Sequence, residues 1–266
     1  KVKKNTLIIF ETTVPPGTSE KIILPVLQKE FNKRGFKNDD INYVYSYERV
    51  MPGKDYLNSI KNFWRVYSAN NVKADKLFKK FCSQFINLKE FPMTKLENIR
   101  SAETAKILEN SYRATNIAFI QEWTEFSKSL NINLFPIIEA IKLRPTHKNI
   151  MYPGLGVGGY CLTKDPIFGE ISSRKLLKNK KLKNNFFFST NAVKHNNNMP
   201  NFTFKCISEK IRNFNKKKIL FFGITYKSDV QDTRYSPATK LAKKFQKKKS
   251  YIYFYDDLSF HWNEIK

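Results

Sequence analysis

A thiol, two carboxylates and a lysine–amide pair are the side chains of this sequence best placed to do chemistry. The thiol is Cys161, at the end of Tyr152-Pro-Gly-Leu-Gly-Val-Gly-Gly-Tyr-Cys161. Gly154, Gly156, Gly158 and Gly159, four of the nine glycines in the chain, fall within this stretch. Glycine loses more backbone entropy on folding than other residues, so a cluster needs a cause: a sharp turn, or a backbone that approaches a ligand closely. If a helix opens at Leu162, Cys161 sits at its N-terminus, where the dipole and unpaired N–H groups favour a thiolate. Asp165 follows four residues later. This is the pattern of an activated nucleophile for covalent catalysis. The competing reading is a tight turn followed by an inert packed cysteine.

Glu48 follows a strand-like run, Ile41–Ser46, at the strand end where open α/β sheets bind ligands. The alternative is a surface ion pair with Arg49. Lys106 and Asn110, four apart in a helical pattern, share one face. That face is either solvated or turned into a site, where a lysine would steady an oxyanion. Cys82 and Cys206 lie in helix-like patterns and read as packed residues. Three cysteines at wide spacing give neither metal-ligand spacing nor a disulfide framework, and fit a reducing cytosol.

These residues need elements to hold them. Residues 5–10 read as a buried strand. Pro15-Pro16-Gly17 sets a turn, with Thr18 or Ser19 as N-cap of a helix over about 20–34. Pro25 inside that helix predicts a late start or a kink. Further strands are predicted at 41–46 and Phe63–Tyr67, and a helix at 73–85. Asn98–Asn131 is the longest helical pattern and carries apolar residues on more than one face. A helix begins near Leu134, another opens at Pro200 and runs to about 213, and strands follow at 216–224 and 251–256. Ser236-Pro237 marks a helix start. Strands alternating with helices predict an α/β fold.

Hydrophobic residues make up 41% of the 266, enough for a core, and no apolar run reaches membrane-spanning length. The net charge of +25 is spread along the chain rather than gathered on one element. That spread argues against a nucleic-acid partner and suits a small polyanion such as a nucleotide diphosphate. The rival readings are a basic binding module for nucleotides or nucleic acid, and an inactive remnant.

The pattern P-G-x-G-V-G-G-x-C-x-x-x-D at 153–165 resembles the nucleophile loop of the UDP-glucose/GDP-mannose dehydrogenase family. Other stretches agree. Thr12-Thr-Val-Pro-Pro-Gly17 resembles the loop closing the family's NAD domain. Glu48-Arg-Val-Met-Pro-Gly53 resembles its E-R-V-x-P-G segment, in the N-acetylhexosamine form, with Tyr47 where the family carries proline. Residues 102–118 resemble its central helix, and 223–237 its G-x-x-Y-K-x-x-x-x-D-x-R-x-S-P motif. The run Asn191–Pro200, ending in Met199-Pro200, is similar to its N-x-x-M-P junction.

The resemblance implies a fold of three parts: residues 1–90 as part of a Rossmann NAD domain, 91–199 as an all-helical dimerisation domain bearing Cys161, and 200–266 as part of a Rossmann-like UDP-sugar domain. It implies a cytoplasmic NAD-dependent enzyme that oxidises the C6 alcohol of UDP-glucose or a UDP-N-acetylhexosamine to the acid, for polysaccharide precursors, as a homodimer through the central helix. Cys161, Lys106, Glu48, Asn110 and Asp165 would be catalytic. Arg49, Val50, Met51, Tyr152, Gly154, Gly156, Gly158, Tyr226 and Lys227 would meet the substrate, and Arg144 or His147 would reach the neighbouring subunit's substrate. Thr12, Thr13, Val14 and Arg234 would lie near NAD. No G-x-G-x-x-G follows a first strand, so the reading is of an internal part of a longer enzyme.

Overall fold

The apolar run Leu7–Phe10 forms strand β1 of a four-stranded sheet. A computed structural model describes residues 2–51, 53–178 and 186–265; Pro52 of the Glu48 motif lies outside the described residues. After the Pro15-Pro16-Gly17 turn, a π-helical turn, Ser19–Ile23, runs into α1 (Leu24–Asn32). Pro25 thus falls in the first turn of α1, but the chain is already helical from Ser19 through the π-helical turn, so the helix does not start late at the proline as predicted. Then come β2 (Asn42–Tyr45), α2 (Tyr56–Lys61), β3 (Val66–Ala69), α3 (Val72–Cys82), β4 (Thr94–Lys95) and the long α4 (Ile99–Ser129).

The strand order is β1-β2-β3-β4, with β1/β2 and β3/β4 parallel and β2/β3 antiparallel. Every residue of β2 is buried because both faces of the sheet are covered. Tyr43 and Tyr45 point into a core with Phe31, Ile99 and Ala102, while Val44 faces Tyr67, Ala74 and Phe78 on the other side. The third strand starts later than predicted. Phe63 and Trp64 leave the ladder and stack edge to face, Trp64 also against Phe91 at 4.9 Å between ring centroids.

The predicted cap of the first helix is corrected. Thr18 is already helical in backbone and makes no cap; its hydroxyl donates to Pro15 O at 2.6 Å. Ser19 spends its hydroxyl on Tyr43 Oη, 2.7 Å away. The helix start is instead closed by Glu103 of α4, whose carboxylate accepts from Gly17 N at 2.5 Å and Ser19 N at 2.8 Å. An anion at a helix N-terminus satisfies N–H groups that no helical carbonyl can reach. Ser172 holds the same turn from another side by donating to Pro16 O.

The chain folds as two compact units, Lys1–Glu109 with Phe168–Asn185, and Asn110–Ile167 with Phe186–Lys266. The first also takes α7 (Phe168–Ile171), whereas α5 (Leu134–Lys142) and α6 (Cys161–Lys164) belong to the second. The second unit continues with α8 (Phe187–Lys210), β5 (Lys218–Phe222), α9 (Pro237–Lys247) and β6 (Tyr251–Tyr255). Strands β5 and β6 are parallel, and one face packs Phe221 on Leu241, Phe245 and Trp262. Their other face leaves Leu220, Phe222, Tyr251, Tyr253 and Tyr255 exposed. Ser236 caps α9 by accepting from Ala238 N, with Pro237 in the first turn, as the sequence predicts.

Pro200 does not open a helix as predicted; it lies inside α8. Ala192, Asn196 and Met199, spaced four and three apart, form one buried stripe across the position. Packing of that stripe carries the helix through the proline. Among the described residues no helix is long and apolar enough to cross a membrane.

Candidate active site

In the second unit the cysteine loop packs against the Tyr226 motif. A Cβ on Gly158 would sit 2.5 Å from Tyr226 Cβ and 2.9 Å from Tyr235 O. Gly159, at φ +73°, would place one 2.8 Å from the Tyr226 ring, and its N–H donates to Arg234 O at 3.3 Å. Close approach is therefore the reason for glycine at both positions, and what approaches is Tyr226 of the same chain. Tyr160 meets Tyr235 edge to face at 4.9 Å, and the Arg234 guanidinium lies 4.9 Å over the Tyr160 ring. Arg234 forms two bonds to Asp232, at 2.9 and 2.8 Å, which hold the Asp232 carboxyl below its usual range.

Cys161 is the first residue of α6 and is exposed. Cys82 is fully buried, and burial pushes its thiol up to about 11. Cys206 is half-buried on α8. One turn after Cys161, the buried Asp165 accepts from Asn110 Nδ2 at 2.8 Å and pairs with Lys164 Nζ at 2.5 Å. The amide of α4 and the carboxylate at the end of α6 thus hold each other.

In the first unit Lys106 and Glu48 are brought together. Lys106 Nζ donates to Glu48 O at 3.0 Å and lies 5.3 Å from the Tyr47 ring centroid. Glu48 makes no pair with Arg49; its carboxylate accepts from Val50 N at 2.6 Å. Arg49 turns to Glu109, at 3.0 Å, and to Tyr47 Oη and Trp64 O. Tyr47, in the place of a proline, is buried and anchors this network, and burial raises its phenol. A cavity of 610 Å³ is lined by Glu48, Val50, Glu11 and Arg65. Met51 N donates to Ser59 Oγ at 3.0 Å. Thr12 is exposed and Thr13 and Val14 half-buried just beyond the C-terminal end of β1.

Other predicted residues are placed elsewhere. Tyr152 stacks on Phe135 of α5 at 6.1 Å, with Lys142 Nζ 3.8 Å over its ring and its hydroxyl on Glu139. Among the described residues nothing lies within 4 Å of a Cβ added at Gly154. Arg144 and His147 are exposed, His147 bonded to Thr146 at 2.8 Å. Lys227 is exposed beside Tyr226. Of the predicted catalytic residues, Lys106 meets the main-chain carbonyl of Glu48 in the first unit, and Asn110 meets the Asp165 carboxylate in the second. Sequence reasoning missed the partners Glu103, Glu109 and Lys164. Glu103 carried a signal: it lies three residues before Lys106, on the same side of the helix.

Residues 100–197 match the central domain of the UDP-glucose/GDP-mannose dehydrogenase family. The chain is 34% identical over 246 residues to the UDP-N-acetyl-D-mannosamine dehydrogenase of Methanocaldococcus jannaschii, covering 91% of this chain and 51% of that protein. Among solved structures it resembles the Pyrococcus horikoshii UDP-D-ManNAc dehydrogenase, with a TM-score of 0.79 at 30% identity over 97% of this chain and 58% of the other. It also resembles the UDP-N-acetyl-mannosamine dehydrogenase of Staphylococcus aureus, with a TM-score of 0.80 at 30% identity over 100% and 58%. The chain spans about half the length of the curated relatives it matches. With this likeness over nearly all of its residues, and with two of the predicted motifs packed on one another, the chain belongs to the UDP-glucose/GDP-mannose dehydrogenase family.

Proposed function

We propose that this chain carries the reacting side chains of an NAD-dependent nucleotide-sugar 6-dehydrogenase acting on a UDP-N-acetylhexosamine, with UDP-N-acetyl-D-mannosamine the first substrate to test. The observation that carries the reading is an exposed Cys161 at the end of a glycine loop seated on Tyr226, the residue beside Lys227. The residues past β1, Thr12 to Val14, suit a nicotinamide, because their position at a strand end is where open α/β sheets take cofactors. NAD, when bound, accepts a hydride in each of two oxidations.

The C6 hydroxyl gives its proton to a water or base held by Lys106 and Asp165 as it loses a hydride, giving the aldehyde. Cys161 adds through sulfur to that carbonyl, and Lys106 and Asn110 steady the resulting oxyanion. Loss of a second hydride leaves a thioester. Glu48 takes a proton from water, which attacks the thioester and releases the carboxylate and the thiol. Asp165 orients Asn110 through the 2.8 Å bond.

Iodoacetamide labelling tests the assignment. Cys161 should be alkylated at least about tenfold faster than Cys82, since only the thiolate reacts and burial disfavours it at Cys82. UDP-N-acetylmannosamine should slow only the Cys161 reaction. Equal labelling of all three cysteines, with no effect of the nucleotide sugar, would show that Cys161 is not the nucleophile.

The same reading includes a homodimer. Tyr112, Phe119, Trp123 and Phe126 are exposed along one stripe of α4, Trp123 stacked edge to face on both phenylalanines. A stripe of this kind fits a second copy of the chain. Light scattering should give a dimer at micromolar concentration, and Trp123→Glu with Phe126→Glu a monomer. A well-folded parent monomer would remove the idea.

A further inference from the structure

Pro200 interrupts the hydrogen-bond ladder of α8 at one carbonyl. In an α-helix the carbonyl of residue i is served by the N–H of residue i+4. A proline at i+4 has no N–H, and its ring pushes that carbonyl out of line. The carbonyl concerned is that of Asn196, and it lies against the cysteine loop. A Cβ on Gly156 would sit 2.8 Å from Asn196 O, and Gly156 holds a φ of +130°. Met199 and Pro237 complete the seat, each with its Cβ within 3.5 Å of that position.

The Asn196 side chain makes a second connection. It is 3% exposed, and its Nδ2 donates to Ala114 O of α4 at 2.9 Å. Ala114 lies one turn beyond Asn110, the partner of Asp165. Asn196 Oδ1 is buried with no hydrogen-bond partner among the described residues. A buried unsatisfied amide oxygen costs stability, so the residue is not explained by its own bonding alone.

We infer that Asn196 and Pro200 are positioning residues for the Cys161 loop. The proline keeps the main-chain carbonyl of residue 196 out of the helix ladder and against Gly156. The amide of the same residue ties that point to the helix bearing Asn110. The inference takes its functional meaning from the reading of Cys161 as the nucleophile.

The test is a double-mutant cycle on Pro200→Ala and Gly156→Ala, read by the alkylation rate of Cys161 and by thermal melting. Alanine at 200 restores an N–H that recaptures the Asn196 carbonyl. Cys161 should then react about tenfold more slowly while the fold is kept, because a small displacement of a reacting group has effects of at least this size. Gly156→Ala alone should slow Cys161 and lower the melting temperature, since its Cβ meets that carbonyl. In the Pro200→Ala background it should cost less, because the clash with the carbonyl is relieved and only the strain of a side chain at φ +130° remains, so the two changes should be non-additive. Should Gly156→Ala fail to fold, recovery of folding in the double variant supports the inference, and if the double variant also fails, the Cys161 rate in Pro200→Ala alone decides it. An unchanged Cys161 rate in Pro200→Ala, or an equal cost of Gly156→Ala in both backgrounds, overturns it. A parent Cys161 no faster than Cys206 would instead defeat the nucleophile reading, and the melting cycle would still decide the coupling of 156 to 200.

Discussion

Replacing Glu103 by alanine should lower the stability of the chain by about 3 kcal/mol, a large part of what a domain of ordinary stability has. The carboxylate closes the first helix by accepting from both Gly17 N and Ser19 N, and it is fully buried. Alanine leaves those two donors without a partner in a place water does not reach, which is where lost hydrogen bonds cost most. Glutamine keeps one acceptor but turns an NH₂ towards the other donor, so Glu103→Gln should fall between parent and alanine. The cost should also depend on pH. Burial, the largest influence, raises the Glu103 carboxyl, and the bonds from Ser19 and Gly17 oppose it only in part. A raised acid binds its proton more tightly folded than unfolded. This residue's contribution therefore declines as pH rises from the ordinary carboxylate range through the raised value. Urea unfolding of both variants and the parent across mildly acidic pH checks this: an unchanged midpoint in Glu103→Ala would show that the clamp is not what holds the turn.

In the full-length enzyme of the proposed function, Cys161→Ser and Lys227→Ala should separate chemistry from binding. Serine is a far weaker nucleophile, so oxidation to the acid should fall by about three orders of magnitude or more. UDP-sugar affinity should survive, because the Tyr226 seat beneath Gly158 and Gly159 is untouched. Lys227→Ala should weaken that affinity about tenfold, the worth of one charge-assisted contact to a diphosphate. NADH formation and calorimetric titration with the UDP-sugar read the two arms. Full turnover in Cys161→Ser, or unchanged affinity in Lys227→Ala, would refute the role of the residue concerned.

Much of this was legible in the sequence because it was local. The start of a helix at Cys161, the shared face of Lys106 and Asn110, and the Ser236-Pro237 helix start follow from residue type and spacing over a few positions. What was not legible came from side chains distant in sequence. Nothing near Gly17 indicates that a glutamate 86 positions on would replace Thr18 as its cap. Nothing near Glu48 shows that Arg49 would turn to Glu109 rather than to its neighbour. Pro200 misled for a different reason. Local propensity reads proline as a helix start, and the buried stripe of Ala192, Asn196 and Met199 overrode it.

The open face of the β5–β6 pair makes the colloidal behaviour of this chain sensitive to salt. Leu220, Phe222, Tyr251, Tyr253 and Tyr255 present a row of apolar and aromatic side chains to water, on a chain whose net charge is +25. At low ionic strength like charge keeps such surfaces apart. Salt shortens the range of that repulsion to about 10 Å at 0.1 M and about 3 Å at 1 M, while contact between the rings gains strength. For this stretch of chain by itself, like charge should therefore be what keeps the open face of the sheet from self-association, and sulfate-rich media should precipitate it more readily than dilute buffer.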